Sequence, residues 1–218
     1  MAALDALLPY LLPSVTGCSE PLALQTLRAT AYDFCARTDL IQRVLVSDCV
    51  AGTQDYTITA PVDMELLRIL SVSWQGQILT PVSPALVQQD IVLRGVTIGT
   101  AVPTSNSPTW YFQKTPTDSG FSLYPIPNAT LASGLTVKAS FGTSNTATTI
   151  DDVLFSDWAD DLATGAMGTL MSMPGHMFSS REAPAYTKLF NGAVTRGRRL
   201  QANGRLPGSL RVMPQRFI

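Results

Sequence analysis

The chain of 218 residues is long enough for one large domain or two small ones, and charged residues make up only 14% of it. Average soluble domains contain about 25% charged residues, so the low content predicts that other subunits cover much of the surface. The mean hydropathy is +0.17, yet no run of about 18 apolar residues occurs, which excludes a membrane-spanning helix.

The N-terminal run MAALDALLPYLLPSV has only a superficial likeness to a signal sequence. No basic residue precedes its apolar part, it contains Asp5, and Pro9 and Pro13 interrupt it. These features argue against export. The cysteines are three in number and lack metal-like spacing, which is typical of reduced thiols in a cytosolic product. They are Cys18, Cys35 and Cys49.

The first predicted helix follows Cys18. Ser19 stands at its N-cap position and Pro21 lies in its first turn. A stripe of positions spaced by three or four residues continues through the segment, as on one face of a helix. The stripe consists of Leu24, Leu27, Ala31, Phe34 and Thr38.

Residues 43–142 change to short runs separated by turn residues, and several runs alternate between apolar and polar positions. RVLVSDCV, QDYTITAP, LLRILSVSW, DIVLRGV and GFSLYP are among the runs predicted as strands. The stretch Trp74-Gln75-Gly76-Gln77 predicts a tight hairpin. This part of the chain is therefore predicted to be rich in β-structure.

Two more helices are predicted after the β-rich region. One follows DDVLFSDWADDLATGAMGTLMSM and ends at Pro174-Gly175. The other begins at SSREAP, where Ser179 and Glu182 have the spacing of a capping box. Small residues on both helices permit close helix approach, and we interpret them as packing positions in the core and between subunits. The glycines among them are Gly165, Gly168, Gly192 and Gly197.

These elements predict an α+β chain with a discontinuous helical domain. The N-terminal segment and first helix (residues 1–42) pack with a helical hairpin (residues 143–200). The β-rich region (residues 43–142) is inserted between them, and residues 201–218 form an extended tail.

Two groups of residues are candidate chemical sites. The cluster Asp151, Asp152, Asp157, Asp160 and Asp161 matches no calcium-loop spacing and suits the N-terminal turns of a helix instead. The one histidine, His176, has no nucleophile or acid assigned to it by any motif. The sequence therefore predicts no catalytic residue, no metal ligand and no cofactor.

Charge is distributed unevenly along the chain. Residues 1–182 contain 8 basic and 16 acidic side chains, whereas residues 183–218 contain 7 basic side chains and no acid. Such asymmetry indicates a partner. A DNA-binding arm, a membrane anchor, an inert tail and a docking segment are all possible for residues 201–218, and spaced apolar groups between arginines favour docking. The predicted docking residues are Arg205, Leu206, Leu210, Arg211, Val212, Met213, Arg216, Phe217 and Ile218.

Four blocks of sequence, taken in order, resemble a known family. They are ALLPYLLPSVTGCSEPLALQTLRATAYDFCART, DYTITAP, DWADDLATGAMGTLMSMPG and APAYTKLFNGAV. Their order is similar to that of the head-to-tail adaptor proteins of tailed bacteriophages, also called head-completion or tail tubular proteins. The resemblance covers roughly residues 4–200.

The resemblance implies a structural virion protein without catalytic residues. It implies a ring, twelvefold in symmetry, that joins the portal protein to a tail or nozzle protein in the neck of the virion. Assembly would take place in the host cytoplasm. DNA would pass through the ring without specific binding, and the C-terminal extension would climb onto the portal.

Two other function classes remain open from the residues. A β-rich module that binds carbohydrate or another ligand, on a phage or bacterial surface structure, would use Trp74, Trp110 and Tyr111 as a stacking platform. A small hydrolase would need the aspartate cluster and His176 to converge.

Overall fold

The computed structural model describes residues 1–93, 103–114, 119–176 and 178–203. These residues form helices and several β-sheets, which confirms the predicted α+β class. The α-helices are α1 (Leu8–Leu11), α2 (Glu20–Thr38), α3 (Pro84–Leu93), α4 (Asp152–Met171) and α5 (Ala183–Asn203), and 3-10 turns span Leu4–Leu7 and Leu12–Ser14. The strands are β1 (Ala2–Ala3), β2 (Gln42–Cys49), β3 (Asp55–Thr57), β4 (Met64–Trp74), β5 (Gln77–Ile78), β6 (Thr80–Pro81), β7 (Thr104–Ser105), β8 (Trp110–Phe112), β9 (Gly120–Tyr124), β10 (Ile126–Pro127), β11 (Leu131–Thr143) and β12 (Thr149–Ile150).

The chain divides into two compact units. The helical unit comprises Met1–Leu40 and the described part of Thr148–Ile218. The β unit comprises the described part of Ile41–Ala147. The division therefore falls a few residues from the domain boundaries that the sequence suggests.

Helices α2, α4 and α5 contact one another in the helical unit. Their stripes of apolar residues meet in an aromatic cluster, where the ring of Phe34 lies 4.9 Å from that of Trp158 and 6.1 Å from that of Phe190. The N-terminal turns bury Leu4, Leu7 and Leu11 completely or nearly so. Strand β1 pairs with β12 in the same unit.

The helix ends differ from the sequence predictions in their capping details. Ser19 occupies the N-cap position of α2, but its side chain makes no capping hydrogen bond. At α5 the predicted pairing of Ser179 with Glu182 is wrong, because the Glu182 amide donates to Oγ of Ser180 instead. Helix α5 continues to Asn203, three residues into the segment predicted as tail. The spacing of residues in the sequence thus predicts where the helices lie better than it predicts the hydrogen bonds at their ends.

The larger sheet of the β unit has the strand order β2-β11-β4-β5. Strand β11 pairs with both β2 and β4 in antiparallel fashion, and its residues Leu135, Val137, Ala139 and Phe141 are buried. From Leu135 to Ala139 the burial alternates, the period-two pattern of a strand with one face in the core, whereas Ser140 and Thr143 are buried as well. The second four-stranded sheet has the order β3-β9-β8-β6, and β7 pairs with β10.

The predicted hairpin at Trp74–Gln77 is confirmed. Trp74 pairs with Gln77, and the two residues between them have positive φ, 45° at Gln75 and 81° at Gly76. Two positive φ angles define a type I′ turn, whose twist matches that of the flanking strands.

The run DIVLRGV is not a strand where the structure describes it. Residues up to Leu93 belong to α3, and residues 94–97 lie outside the described part. Ser83 begins the helix by accepting the Leu86 amide on its side chain. Val87 and Ile91, four residues apart, pack into the cluster of Phe112 and Tyr124. This helical spacing outweighs the β-branched character of the run.

Candidate functional site

Three of the four predicted packing glycines face another helix of the same chain. A Cβ atom at Gly165 would lie 2.5 Å from the ring of Phe190, and one at Gly168 would lie 3.0 Å from Oγ1 of Thr187. At Gly197 the nearest atom would be a methyl carbon of Thr38, at 2.8 Å. These glycines therefore let α2, α4 and α5 approach closely within one subunit.

Gly192 differs from the other three. A Cβ atom there would meet nothing within 4 Å, so this glycine lies on the open side of α5. A role of these glycines between subunits stays a prediction.

The predicted docking residues of the tail, from Arg205 to Ile218, lie outside the described residues. The structure does show where the described chain leads into this segment. Helix α5 includes residues 201–203 of the segment predicted as an extended tail.

The aspartate cluster is distributed over separate structural roles at the start of α4. Asp151 is the N-cap, where its buried side chain accepts the Val153 amide at 3.0 Å. Asp152 accepts from the N-terminal amino group at 2.7 Å, and Asp161 binds Arg196 with both carboxylate oxygens. No group of ligands that could hold a metal ion occurs in the described part of the chain.

His176 lies in the connection between α4 and α5, where its ring stacks on that of Phe178 at 4.8 Å. Within the described residues, no hydrogen bond or ion pair joins His176 to an aspartate. The convergence that a hydrolase would require is therefore not present there. The cysteines are free thiols, and Sγ of Cys49 lies 3.3 Å from the hydroxyl of Tyr56. Burial raises the pKa of the Cys49 thiol, which disfavours a reactive thiolate.

The three aromatic residues considered as a stacking platform do not form an exposed surface. Trp74 is 2% exposed and Tyr111 is 7% exposed, so both belong to the core. Trp110 is half-buried and stacks on Tyr124 at 5.6 Å. A platform for sugar rings needs accessible aromatic faces, so this arrangement does not favour a carbohydrate site.

A polar cluster that the sequence did not reveal lies in the second sheet. The Asp55 carboxylate accepts from Nζ of Lys114 and from Oγ of Ser122, both at 2.6 Å. These two hydrogen bonds lower the pKa of Asp55. Lys114 and Asp55 are both largely exposed, so their ion pair is a surface contact, whereas the bond to Ser122 joins β3 to its neighbour β9. The residues are 59 positions apart, and only the strand register brings them together.

One face of the larger sheet carries a row with Val46 and Ile78 at its two ends and the polar residues Thr136 and Ser73 between them. Val46 pairs with Thr136, Thr136 with Ser73, and Ser73 with Ile78. Residues directly opposite one another in a sheet project from the same face. Val46 is 59% exposed and Ile78 is 78% exposed. The two exposed apolar side chains are therefore separated by polar residues and do not form a contiguous apolar patch.

No protein-family model matches this chain, and no curated protein matches it. Among the described residues, no helix is both long and apolar enough to cross a membrane.

Proposed function

We propose that this chain is a structural subunit of a tailed-phage virion. In this proposal its copies form a ring, twelvefold in symmetry, between the portal protein and a tail or nozzle protein. The ring lets DNA pass and performs no catalysis. The chain would reside in the virion neck after assembly in the host cytoplasm.

One observation carries the proposal most directly. The first sequence block that resembles head-to-tail adaptors is more than a hundred residues from the last two, yet these three blocks supply the core of the helical unit. Phe34, Trp158 and Phe190 come from these three blocks, and the ring of Phe34 contacts the other two. Their joint packing supports the view that the blocks form one packed unit interrupted by the β unit.

The surface of the chain gives further support. A charged content of 14% suits a subunit that neighbours cover on more than one side. The 16 acidic and 8 basic residues of positions 1–182 suit a channel wall that does not grip DNA.

The C-terminal segment is proposed to dock on the portal. Deletion should begin at residue 204, because α5 extends to Asn203 and an earlier cut would also remove helix. The chain that ends at Asn203 should remain folded, since its described core is untouched, and should lose stable binding to the portal ring of the same phage.

Single substitutions in the full chain separate the two kinds of docking contact. Phe217→Ala and Arg211→Ala should each weaken binding to portal, and the arginine effect should shrink at high salt because ion pairs are screened. Arg181→Ala is the matched control, because Arg181 is exposed and lies outside the tail. Undiminished portal binding by the chain that ends at Asn203 would refute the docking role and favour an inert or DNA-contacting tail.

A channel wall that lets DNA pass should not bind it. The chain that ends at Asn203 should show no retention of duplex DNA at physiological salt. Binding that weakens steeply with added salt would indicate phosphate contacts and contradict a non-gripping channel wall.

The second candidate, a carbohydrate- or ligand-binding module, is not favoured by any observation. Its three aromatic residues are buried or stacked within the protein. This second candidate would be supported if the chain stayed a monomer in the presence of portal and also bound a sugar.

A further inference from the structure

Helices α4 and α5 carry opposite charges. Helix α4 contains four aspartates and no basic residue, whereas α5 contains one lysine, three arginines and no acidic residue. Two adjacent helices with fully separated charge attract each other, and they also present an acidic and a basic surface to any other molecule.

Only part of this charge is used inside one copy of the chain. Asp161 and Arg196 form an ion pair between α4 and α5, in which Nη2 of Arg196 donates to both carboxylate oxygens at 2.7 and 2.8 Å. Arg198 donates through Nε to a backbone carbonyl of α2 at 2.7 Å. Asp152 accepts from the N-terminal amino group. These contacts fix the edges where the helices meet.

Three of the exposed charged side chains of α4 and α5 are not used in this way. They are Asp160 on α4 and Lys188 and Arg199 on α5. Within the described part of the chain, their side chains take part in no ion pair and no hydrogen bond. Each stands on the outer side of its helix, since the neighbouring Leu162 and Ala193 point into the core.

Apolar and open positions accompany these charges. On α4, Val153 is 38% exposed and lies two turns before Asp160 on the same face. On α5, Leu189 is 62% exposed, and Gly192 leaves open space one turn further on. An open glycine between basic residues allows another helix to approach the backbone of α5 closely.

We infer that the α4 face around Asp160 of one copy binds the α5 face around Lys188 and Arg199 of a second copy. Charge complementarity selects this occupant, because the chain itself supplies an acidic helix face that matches its basic one. The contact is heterologous: it leaves one acidic and one basic face free on each pair of copies. Repetition therefore closes a ring or extends a filament. The inference rests on the proposed function, since it names the surfaces that join neighbouring subunits of the ring.

Charge exchange in the full chain tests the contact. Sedimentation velocity at low ionic strength, over a range of protein concentration, measures self-association without portal. Asp160→Lys and Arg199→Glu should each weaken self-association by about tenfold or more, because like charges then face each other. The double variant, with both substitutions in one chain, should recover most of the wild-type association. An equimolar mixture of the two single variants should also recover association, because both contacts between unlike variants pair opposite charges.

Matched controls come from the β unit. Glu65→Lys and Lys138→Glu make the same kinds of charge change at exposed positions outside the proposed contact, and they should leave association unchanged. Among the described residues, the side chains of Asp160 and Arg199 make no hydrogen bond or ion pair, so circular dichroism of their variants should match the wild type and exclude unfolding as the cause.

Three results would overturn the inference. The first is a wild-type chain that stays monomeric at its highest soluble concentration in low salt. The second is a double variant whose self-association is as weak as that of the single variants. The third is binding of the wild-type chain to duplex DNA that Arg199→Glu abolishes. The last would assign the basic face to nucleic acid. If the double variant recovers self-association but the wild-type chain does not bind portal, the contact stands and only the proposed function is refuted. If the wild-type chain binds portal but the double variant does not recover self-association, the proposed function stands and the contact is refuted.

Discussion

A pair of glycine substitutions gives the sharpest test of how the helical unit is packed. Gly165 lies on α4 and Gly192 on α5, and both are inside long helices. An alanine methyl at Gly165 would lie 2.5 Å from Phe190 and 2.7 Å from Thr30, whereas one at Gly192 would meet nothing within 4 Å. The same chemical change is therefore made once in a closed site and once in an open one.

The magnitude follows from two opposing effects. Replacing glycine by alanine inside a helix stabilises it by about 1 kcal/mol. Carbon atoms prefer separations of about 3.5–4.0 Å, so the methyl at Gly165 must displace its neighbours. The Phe190 ring is held against Phe34, and the Thr30 hydroxyl is bonded to a backbone carbonyl at 2.8 Å. Overpacking of such a site costs about 1–3 kcal/mol.

Urea denaturation followed by circular dichroism measures the outcome. We expect Gly192→Ala to raise the free energy of unfolding by up to about 1 kcal/mol. Gly165→Ala should fall below Gly192→Ala by about 1–3 kcal/mol. Equal stabilisation by both substitutions would show that the close approach of Phe190 and Thr30 to α4 is not real.

Three further predictions concern local features. Gly76→Ala should destabilise the chain by about 1 kcal/mol in thermal unfolding, because φ is 81° there, and an unchanged melting temperature would argue against the type I′ turn. Asp151→Ala should cost about 1 kcal/mol through loss of the α4 N-cap, with Asp151→Ser retaining most of it; equal losses in both variants would contradict the capping role. Asp55→Asn should cost at most about 1 kcal/mol at neutral pH, since the bond to Lys114 is exposed. The pKa of Asp55 is lowered in the folded state, so this stability is present at neutral pH and lost as the pH falls through that lowered pKa. Denaturation curves of wild type and Asp55→Asn should therefore converge in acid, and a difference that persists there would refute the ionic explanation.

The helices that carry the resemblance were predictable because their information is local. Spacing by three and four residues marks the buried faces of α2, α4 and α5, and Pro174-Gly175 ends a helix wherever it stands. The Trp74–Gln77 hairpin was predictable for the same reason, since Gly76 supplies a backbone conformation that few residues adopt.

Features that depend on contacts between distant residues were not predictable. The sequence predicts a strand at residues 90–93, the last residues of helix α3, because the run DIVLRGV gives no sign of the cluster around Tyr124 that Val87 and Ile91 join. The bond between Asp55 and Lys114 arises only from the register of the second sheet. The glycine positions were found from spacing, but whether each faces a helix of its own chain required the fold.

The central claim is that copies of this chain assemble as a ring on a portal. The most direct measurement is the mass of the particles formed when the full chain is mixed with the portal ring of the same phage. We expect a single species of larger mass, in which the number of copies of the chain matches the portal symmetry. This species should not form when residues 204–218 are removed. A portal mass that stays unchanged in the presence of excess full-length chain would contradict the claim.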